Sequence, residues 1–233
     1  MNRTDIYVSI DFDGTITEKD ITDAIIQRFA RPGWEEAERL WEEGKIGSKE
    51  CLSAQIALVD APLADIIEYV DSFSIDAGFK DFIRFLMRSN IRFGIISDGF
   101  DVFIKRILTN EGISGIPVYA NRLYVENGSL KTSYPYASRN CSSGVCKAEV
   151  AATLGDGSPV IHVGDGRSDF CISERASLVY SKGKLTGFCR ENGIPHIEFT
   201  RFGEIRKSVA ELISSPSPAR EHALTAPFFN EAW

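Results

Sequence analysis

Long apolar runs, basic clusters and a cysteine framework are all missing from this sequence of 233 residues. No window approaches the roughly 18 consecutive apolar residues that span a bilayer, and the first apolar run, "IYVSI", is cut short by Asp11. Nor does a basic stretch followed by a secretory apolar segment open the chain. A cytoplasmic protein with no membrane partner is expected. Lys and Arg number 26 against 33 Asp and Glu, a formal net charge of −7. Without a Lys/Arg run, nucleic acid is not an expected partner, because phosphate-backbone binding depends on such clusters. A small phosphate-bearing ligand would need local cations instead.

Five cysteines, Cys51, Cys141, Cys146, Cys171 and Cys189, form an odd set without the dense spacing of a disulfide scaffold. They read as thiols in a reducing compartment. Cys141 and Cys146 flank "SSGV" and invite a zinc site, but no second cysteine pair or nearby histidine completes the four ligands. The histidines His162, His196 and His222 are scattered without ligand spacing, and His162 sits in an apolar run where a core role is expected. Internal repeats and a low-complexity core are lacking too.

What is present is ample apolar material, 43% of residues, for one domain or one domain with an insertion. Three runs share a shape: "IYVSID" at 6–11, "IRFGIISDG" at 91–99 and "PVIHVGDG" at 159–166. Each is apolar and β-branched, as in strands buried on both faces of a parallel sheet, and each ends in Ser, Asp or Gly. Helical patterns separate them, which predicts a doubly wound α/β fold whose ligands gather beyond the carboxyl ends of the strands.

Between the first two strands the sequence is helical in pattern. In "PLADIIEYVDSF" the apolar positions Leu63, Ile66, Ile67, Val70 and Phe73 recur at helical spacing behind an expected cap at Asp60. "PGWEEAERLW" supplies another helix, with Trp34, Ala37 and Trp41 expected in its core. This is too long for one crossover, so the expected layout is an α/β core at 1–16 and 75–213, a helical cap at 17–74 and a Ser/Pro-rich tail at 214–233. "YVENGSL" carries an Asn-Gly between strand-like stretches and predicts a hairpin.

Asp11 and Asp13, two residues apart, would point to opposite faces of an undisturbed strand, but "DGT" turns the chain out of the sheet and lets both face one site. A divalent cation relieves their repulsion, and hard oxygen ligands suit Mg²⁺, with Asp165 at another strand end able to complete the set. A calcium loop is rejected by spacing: Gly14 falls at position four instead of six, and position twelve is Thr22 instead of Glu. Ser97 and Asp98 each have a plainer role available as helix caps, Lys147 as a solvated lysine.

Taken in order, "DFDGTIT", "ISDGF", "CKAEV" and "HVGDGRSDF" resemble the four signature segments of the haloacid-dehalogenase-like phosphatases, over roughly Ile6 to Phe202. The likeness is to the phosphoserine-phosphatase-like branch, whose helical cap lies between the first and second signatures. The resemblance implies an Mg²⁺-dependent hydrolase of a small phosphorylated metabolite. It implies Asp11 as nucleophile, Asp13 as acid and base, and Ser97, Asp98, Gly99 and Lys147 as the phosphate-binding set. Mg²⁺ would be held by Asp11, the Asp13 main-chain carbonyl and Asp165, with Asp169 orienting Lys147 or the metal's water shell.

For specificity the resemblance points to Asp20, Gln55 and Asp98. The phosphoserine phosphatases place a Glu and a cap Arg where this chain has Asp20 and "LSAQIAL", and Gln55 brings no positive charge for a substrate carboxylate. The residues are more similar to phosphatases of 2-hydroxy-3-keto-5-methylthiopentenyl-1-phosphate, in methionine salvage, and of phosphoethanolamine or phosphocholine, where Asp98 would meet an amine. A receiver-like phosphoryl-accepting switch shares Asp, Ser/Thr, Lys and Mg²⁺, but receivers are shorter and need no acid at position 13.

Overall fold

The structure, a computed structural model, describes residues 5–214. The expected tail beyond Ser214 lies outside the described residues. In chain order the elements begin with β1 (Tyr7–Ile10), α1 (Ile21–Phe29), α2 (Trp34–Glu42), α3 (Ser48–Ile56), α4 (Leu63–Val70) and α5 (Phe79–Arg88). There follow β2 (Arg92–Phe100), α6 (Asp101–Asn110), β3 (Val118–Glu126), β4 (Ser129–Ser133) and α7 (Lys147–Gly155). The last are β5 (Val160–Gly164), a 3₁₀ turn at Arg167–Asp169 running into α8 (Phe170–Ser173), β6 (Leu178–Ser181), α9 (Gly183–Glu191), β7 (His196–Glu198) and α10 (Phe202–Ser214). The fold is α/β, doubly wound and mainly parallel, as the alternation of strands and helices implies.

Two compact units are distinguished. The first takes the chain up to Asp11, Asp76–Gly94 and the chain from Lys147 on; the second takes Phe12–Ile75 and Ile95–Cys146.

In the first unit the strands run in the order β1-β5-β6-β7, all parallel. Every residue of β1 is buried, which is why its sequence is continuously apolar instead of alternating. Ser9 on β1 stands in register with His162 on β5. The ladder runs one residue beyond β1, since the Asp11 N–H donates to the Val163 carbonyl at 2.9 Å. Asp11 is thus fixed at the carboxyl end of its strand by main-chain pairing. Helix α5 packs on α10 through Phe79, Phe82 and Phe202, whose rings lie 5.1 and 5.5 Å from centroid to centroid.

In the second unit the strand order is β4-β3-β2, with β2 parallel to β3 and β3 antiparallel to β4. The hairpin turn is Asn127-Gly128, both at positive φ (51° and 75°), the conformation that an Asn-Gly pair accommodates. Residues 17–74 hold four helices and, apart from two isolated bridges, no strand. Helix α1 is capped by Asp20, which accepts from the Asp23 N–H at 2.8 Å. Two expectations need correction here. Helix α4 is entered from Pro62 without a side-chain cap bond, so Asp60 does not cap it. Trp34 and Trp41 are only half-buried, and Ala37 alone of that face is buried, because a nine-residue helix carrying exposed Glu35, Glu36, Arg39 and Glu42 has a narrow apolar stripe.

Candidate functional site

In the first unit, Asp11, Lys147, Asp165 and Asp169 come together. Asp11 directly follows β1, Asp165 follows β5, Lys147 opens α7, and Asp169 lies in the 3₁₀ turn beyond Gly166. Oxygens of Asp11, Asp165 and Asp169 all lie within 4.8 Å of one another. Lys147 is 1% exposed, a rare position for an ammonium group, and is tolerated through ion pairs. Its Nζ lies 2.7 Å from Asp11 Oδ1 and 2.6 Å from Asp169 Oδ1, and donates to Ser168 Oγ at 3.0 Å. Three acceptors therefore match the three N–H bonds of the ammonium.

Asp169 is fully buried. Its Oδ1 takes Lys147 and the imidazole Nε2 of His162 at 3.0 Å, and its Oδ2 takes the N–H groups of Asp165 and Gly166 at 3.0 and 3.1 Å. Burial alone would raise its carboxyl; Lys147 and His162 outweigh that and hold it well below the usual carboxylate range. Burial likewise opposes the Lys147 charge, but Asp11 and Asp169 raise the ammonium above its ordinary value.

Asp11 goes the other way. Burial first, then the charges of Asp169 and Asp165, push its carboxyl well above the ordinary value, against the opposing pull of Lys147. Three carboxylates thus face one ammonium, and the excess falls on Asp11. Hard oxygen donors with surplus negative charge fit a hard divalent cation such as Mg²⁺.

In the second unit, Asp13, Ser97 and Gly99 meet. Asp13 is half-buried, and its Oδ1 accepts from the Ile21 N–H at 3.0 Å. Ser97 Oγ accepts from the Gly99 N–H at 3.0 Å, so it does not cap the helix that follows. A Cβ at Gly99 would collide with the Asp13 carboxylate. Asp98 is not a helix cap either. Its carboxylate accepts from the Ser48 hydroxyl, the Val145 N–H at 2.8 Å and the Asn121 amide at 3.2 Å.

Two of the residues singled out for specificity are engaged with the second unit's own groups. Asp20 is exposed and caps α1. Gln55 is 2% exposed, and its Nε2 donates to Glu38 Oε2 at 2.9 Å. The Cys51 thiol reaches the same oxygen at 3.7 Å, and burial followed by the Glu38 charge pushes that thiol up to about 12. None of the five cysteines is held in a disulfide.

Sequence reasoning gave His162 only a core role and passed over Ser168, Ser48 and Asn121. His162 had a signal, a titratable side chain in a strand three residues before Asp165. Ser48 and Asn121 had none, since only the tertiary fold brings them to Asp98.

A family model described as "Putative Phosphatase" matches residues 6–179, a span that includes every residue of both clusters. A protein of Bacillus thuringiensis subsp. konkukian named 2-hydroxy-3-keto-5-methylthiopentenyl-1-phosphate phosphatase is 31% identical over 217 residues, covering 89% of this chain and 97% of the relative. A protein of the same name from an Exiguobacterium species is 29% identical over 205 residues, covering 85% and 94%. Among solved structures, a phospho-aspartyl intermediate analogue of phosphoserine phosphatase matches with a TM-score of 0.67 at 23% identity, covering 87% of this chain and 97% of that one. At that identity the likeness concerns the fold. No helix among the described residues is long and apolar enough to cross a membrane.

Proposed function

Since the chain belongs to the family described as Putative Phosphatase, whose model matches residues 6–179, we propose that it is a haloacid-dehalogenase-like phosphatase that hydrolyses 2-hydroxy-3-keto-5-methylthiopentenyl-1-phosphate with Mg²⁺, the ester named for a relative 31% identical to it. The supporting observation is the buried cluster of Asp11, Lys147, Asp165 and Asp169, where negative charge exceeds positive at a strand end. In this reading residues 1–16 and 75–213 are the core and 17–74 the cap. Cysteines outside disulfides are what a reducing compartment preserves, in keeping with a cytoplasmic enzyme.

The roles follow from the chemistry of each side chain. Asp11 attacks phosphorus, a new O–P bond forms, and the ester P–O bond breaks. The leaving alkoxide takes its proton from the Asp13 carboxyl. Asp13 then takes a proton from water, whose oxygen attacks the aspartyl-phosphate and restores Asp11 with release of inorganic phosphate. Ser97, the Gly99 loop and Lys147 hold the non-bridging oxygens, and Lys147 exchanges a protein acceptor for a phosphate oxygen as the ester enters. Asp11, Asp165 and the Asp13 main-chain carbonyl would hold Mg²⁺, which when bound neutralises the carboxylates and polarises the phosphoryl group.

The substrate follows from what the polar groups of the insertion already hold. Gln55 is bound to Glu38, so this part of the insertion offers an acidic, not a cationic, partner; a phosphoserine carboxylate would be poorly met. Asp98 accepts from three protein donors, which weighs against its holding a choline or ethanolamine ammonium. An ester whose leaving group carries no charge, such as this hydroxy-keto thioether, fits better.

The test is multiple turnover by purified protein with Mg²⁺ across the methylthio-ketopentyl phosphate, phosphoserine, phosphocholine, phosphoethanolamine and an aryl phosphate. Highest kcat/KM on the first, and silence with chelator, is the expected result. Preference for phosphoserine would overturn the substrate reading, and no turnover on any ester would overturn the whole.

A further inference from the structure

A buried histidine in a strand is ordinarily satisfied within the core, yet His162 is bonded to the charged cluster. Ser9 is its register partner on the neighbouring strand, and the Ser9 Oγ lies 3.2 Å from Nδ1. Nε2 lies 3.0 Å from Asp169 Oδ1, the same oxygen that takes Lys147 Nζ at 2.6 Å. An ionised carboxylate can only accept, so Nε2 carries the hydrogen and Nδ1 receives the Ser9 hydroxyl proton. Burial lowers the imidazole's affinity for a second proton against the pull of Asp169, which keeps the ring neutral. Gly164 completes the arrangement: a Cβ there would collide with the Asp169 carboxylate and stand 2.7 Å from His162 Nε2.

We propose that His162 is a positioning residue, which holds the Asp169 carboxylate from a rigid strand and thereby sets the place of the Lys147 ammonium for phosphoryl transfer. This rests on the phosphatase reading and extends it by one residue. The imidazole is oriented by sheet register through Ser9, so the bond to Asp169 is fixed by main-chain pairing and not by a mobile loop. Without that donor, Asp169 Oδ1 keeps Lys147 alone and loses the contact that orients its carboxyl plane. Outer partners of this kind, where metal ligands are concerned, typically change affinity or activity by about ten- to hundredfold when removed.

The experiment compares His162→Leu with His162→Gln, whose amide nitrogen reaches the place of Nε2. With an aryl phosphate and Mg²⁺, the Leu variant is expected to lose about ten- to hundredfold in kcat, with a far smaller change in KM. The Gln variant is expected to recover most of it. An active wild type with an unchanged Leu variant would overturn this inference alone, as would equal losses in both variants. A wild type inactive on every ester would refute the phosphatase reading and this one with it. Nitrogen-15 spectra of the full-length protein give a readout free of turnover and of folding losses in the variants. They should place His162 in the neutral Nε2–H form, and the Nδ1–H form would overturn the proposal.

Discussion

Gly99 lies so close to Asp13 that a Cβ on residue 99 would overlap the Asp13 carboxylate. Asp13 can yield only by giving up the bond that its other oxygen accepts from the Ile21 N–H at 3.0 Å. Gly99→Ala should therefore leave the fold in place and displace the acid. With Asp13 as general acid and base, the expected loss in kcat is about a hundredfold or more, read by steady-state kinetics beside a thermal melt. A fully active Ala variant would separate Asp13 from proton transfer.

Asp11 supplies a prediction about pH and metal. Its carboxyl is raised above the ordinary value by burial and by Asp169 and Asp165. A carboxyl raised in the folded state favours folding while protonated, and that advantage is lost as pH climbs from the unfolded value towards the folded one. Above the ordinary carboxyl value the metal-free protein therefore carries a folding cost at Asp11, because the unfolded chain gives up this proton more readily than the folded one. Asp11→Asn removes it without changing shape, so the variant should lose all turnover yet melt higher than wild type in chelator, by roughly 2–4 °C per kcal/mol relieved. Added Mg²⁺ should raise the wild-type melting temperature more than the variant's and release protons, measured by calorimetry in buffers of differing ionisation heat. Metal binding without proton release, and an Asn variant less stable than wild type in chelator, would contradict this account of Asp11.

The fold was legible where physical pattern is local. Continuous apolar runs ending in polar residues announced buried parallel strands, and Asn127-Gly128 announced the hairpin, because strand burial and turn geometry leave short-range marks. Charge clustering was half legible. Asp11, Lys147, Asp165 and Asp169 stand in recognisable segments, but the sequence gives no hint that Lys147 is buried or that Ser168 accepts from it. Asp98 was the least legible residue. Its three donors come from residues 48, 121 and 145, and no spacing rule connects those positions.

Asp98 accordingly carries a prediction about stability more than selectivity. Its carboxylate joins the start of α3, strand β3 and the segment before Lys147 within the second unit. The packing is close enough that a Cβ on Gly144 would stand 2.7 Å from the Asn121 amide and 2.8 Å from Asp98 Oδ1. Asp98→Ala leaves the Val145 N–H without its side-chain acceptor and should cost about 1–3 kcal/mol, visible as a shifted denaturation midpoint. The ratio of kcat/KM between phosphocholine and the methylthio-ketopentyl phosphate should stay the same. A selective loss of phosphocholine hydrolysis would assign Asp98 to the substrate after all.

Gln55 and Glu38 test the choice of leaving group. The Gln55 amide is buried and bound to Glu38 at 2.9 Å, so a cation introduced at 55 would meet an anion before it met any ligand. Gln55→Arg alone should therefore do little for phosphoserine, since the guanidinium pairs with Glu38. Gln55→Arg combined with Glu38→Gln removes that partner and leaves a charged donor for the substrate carboxylate. The double variant should gain about tenfold or more in kcat/KM for phosphoserine over the single one, equivalent to roughly 1.4 kcal/mol, while losing efficiency on the methylthio-ketopentyl phosphate. The non-additivity is the informative quantity: two substitutions that act independently would show no coupling in the double-mutant cycle, and that result would mean Glu38 does not govern the charge at position 55.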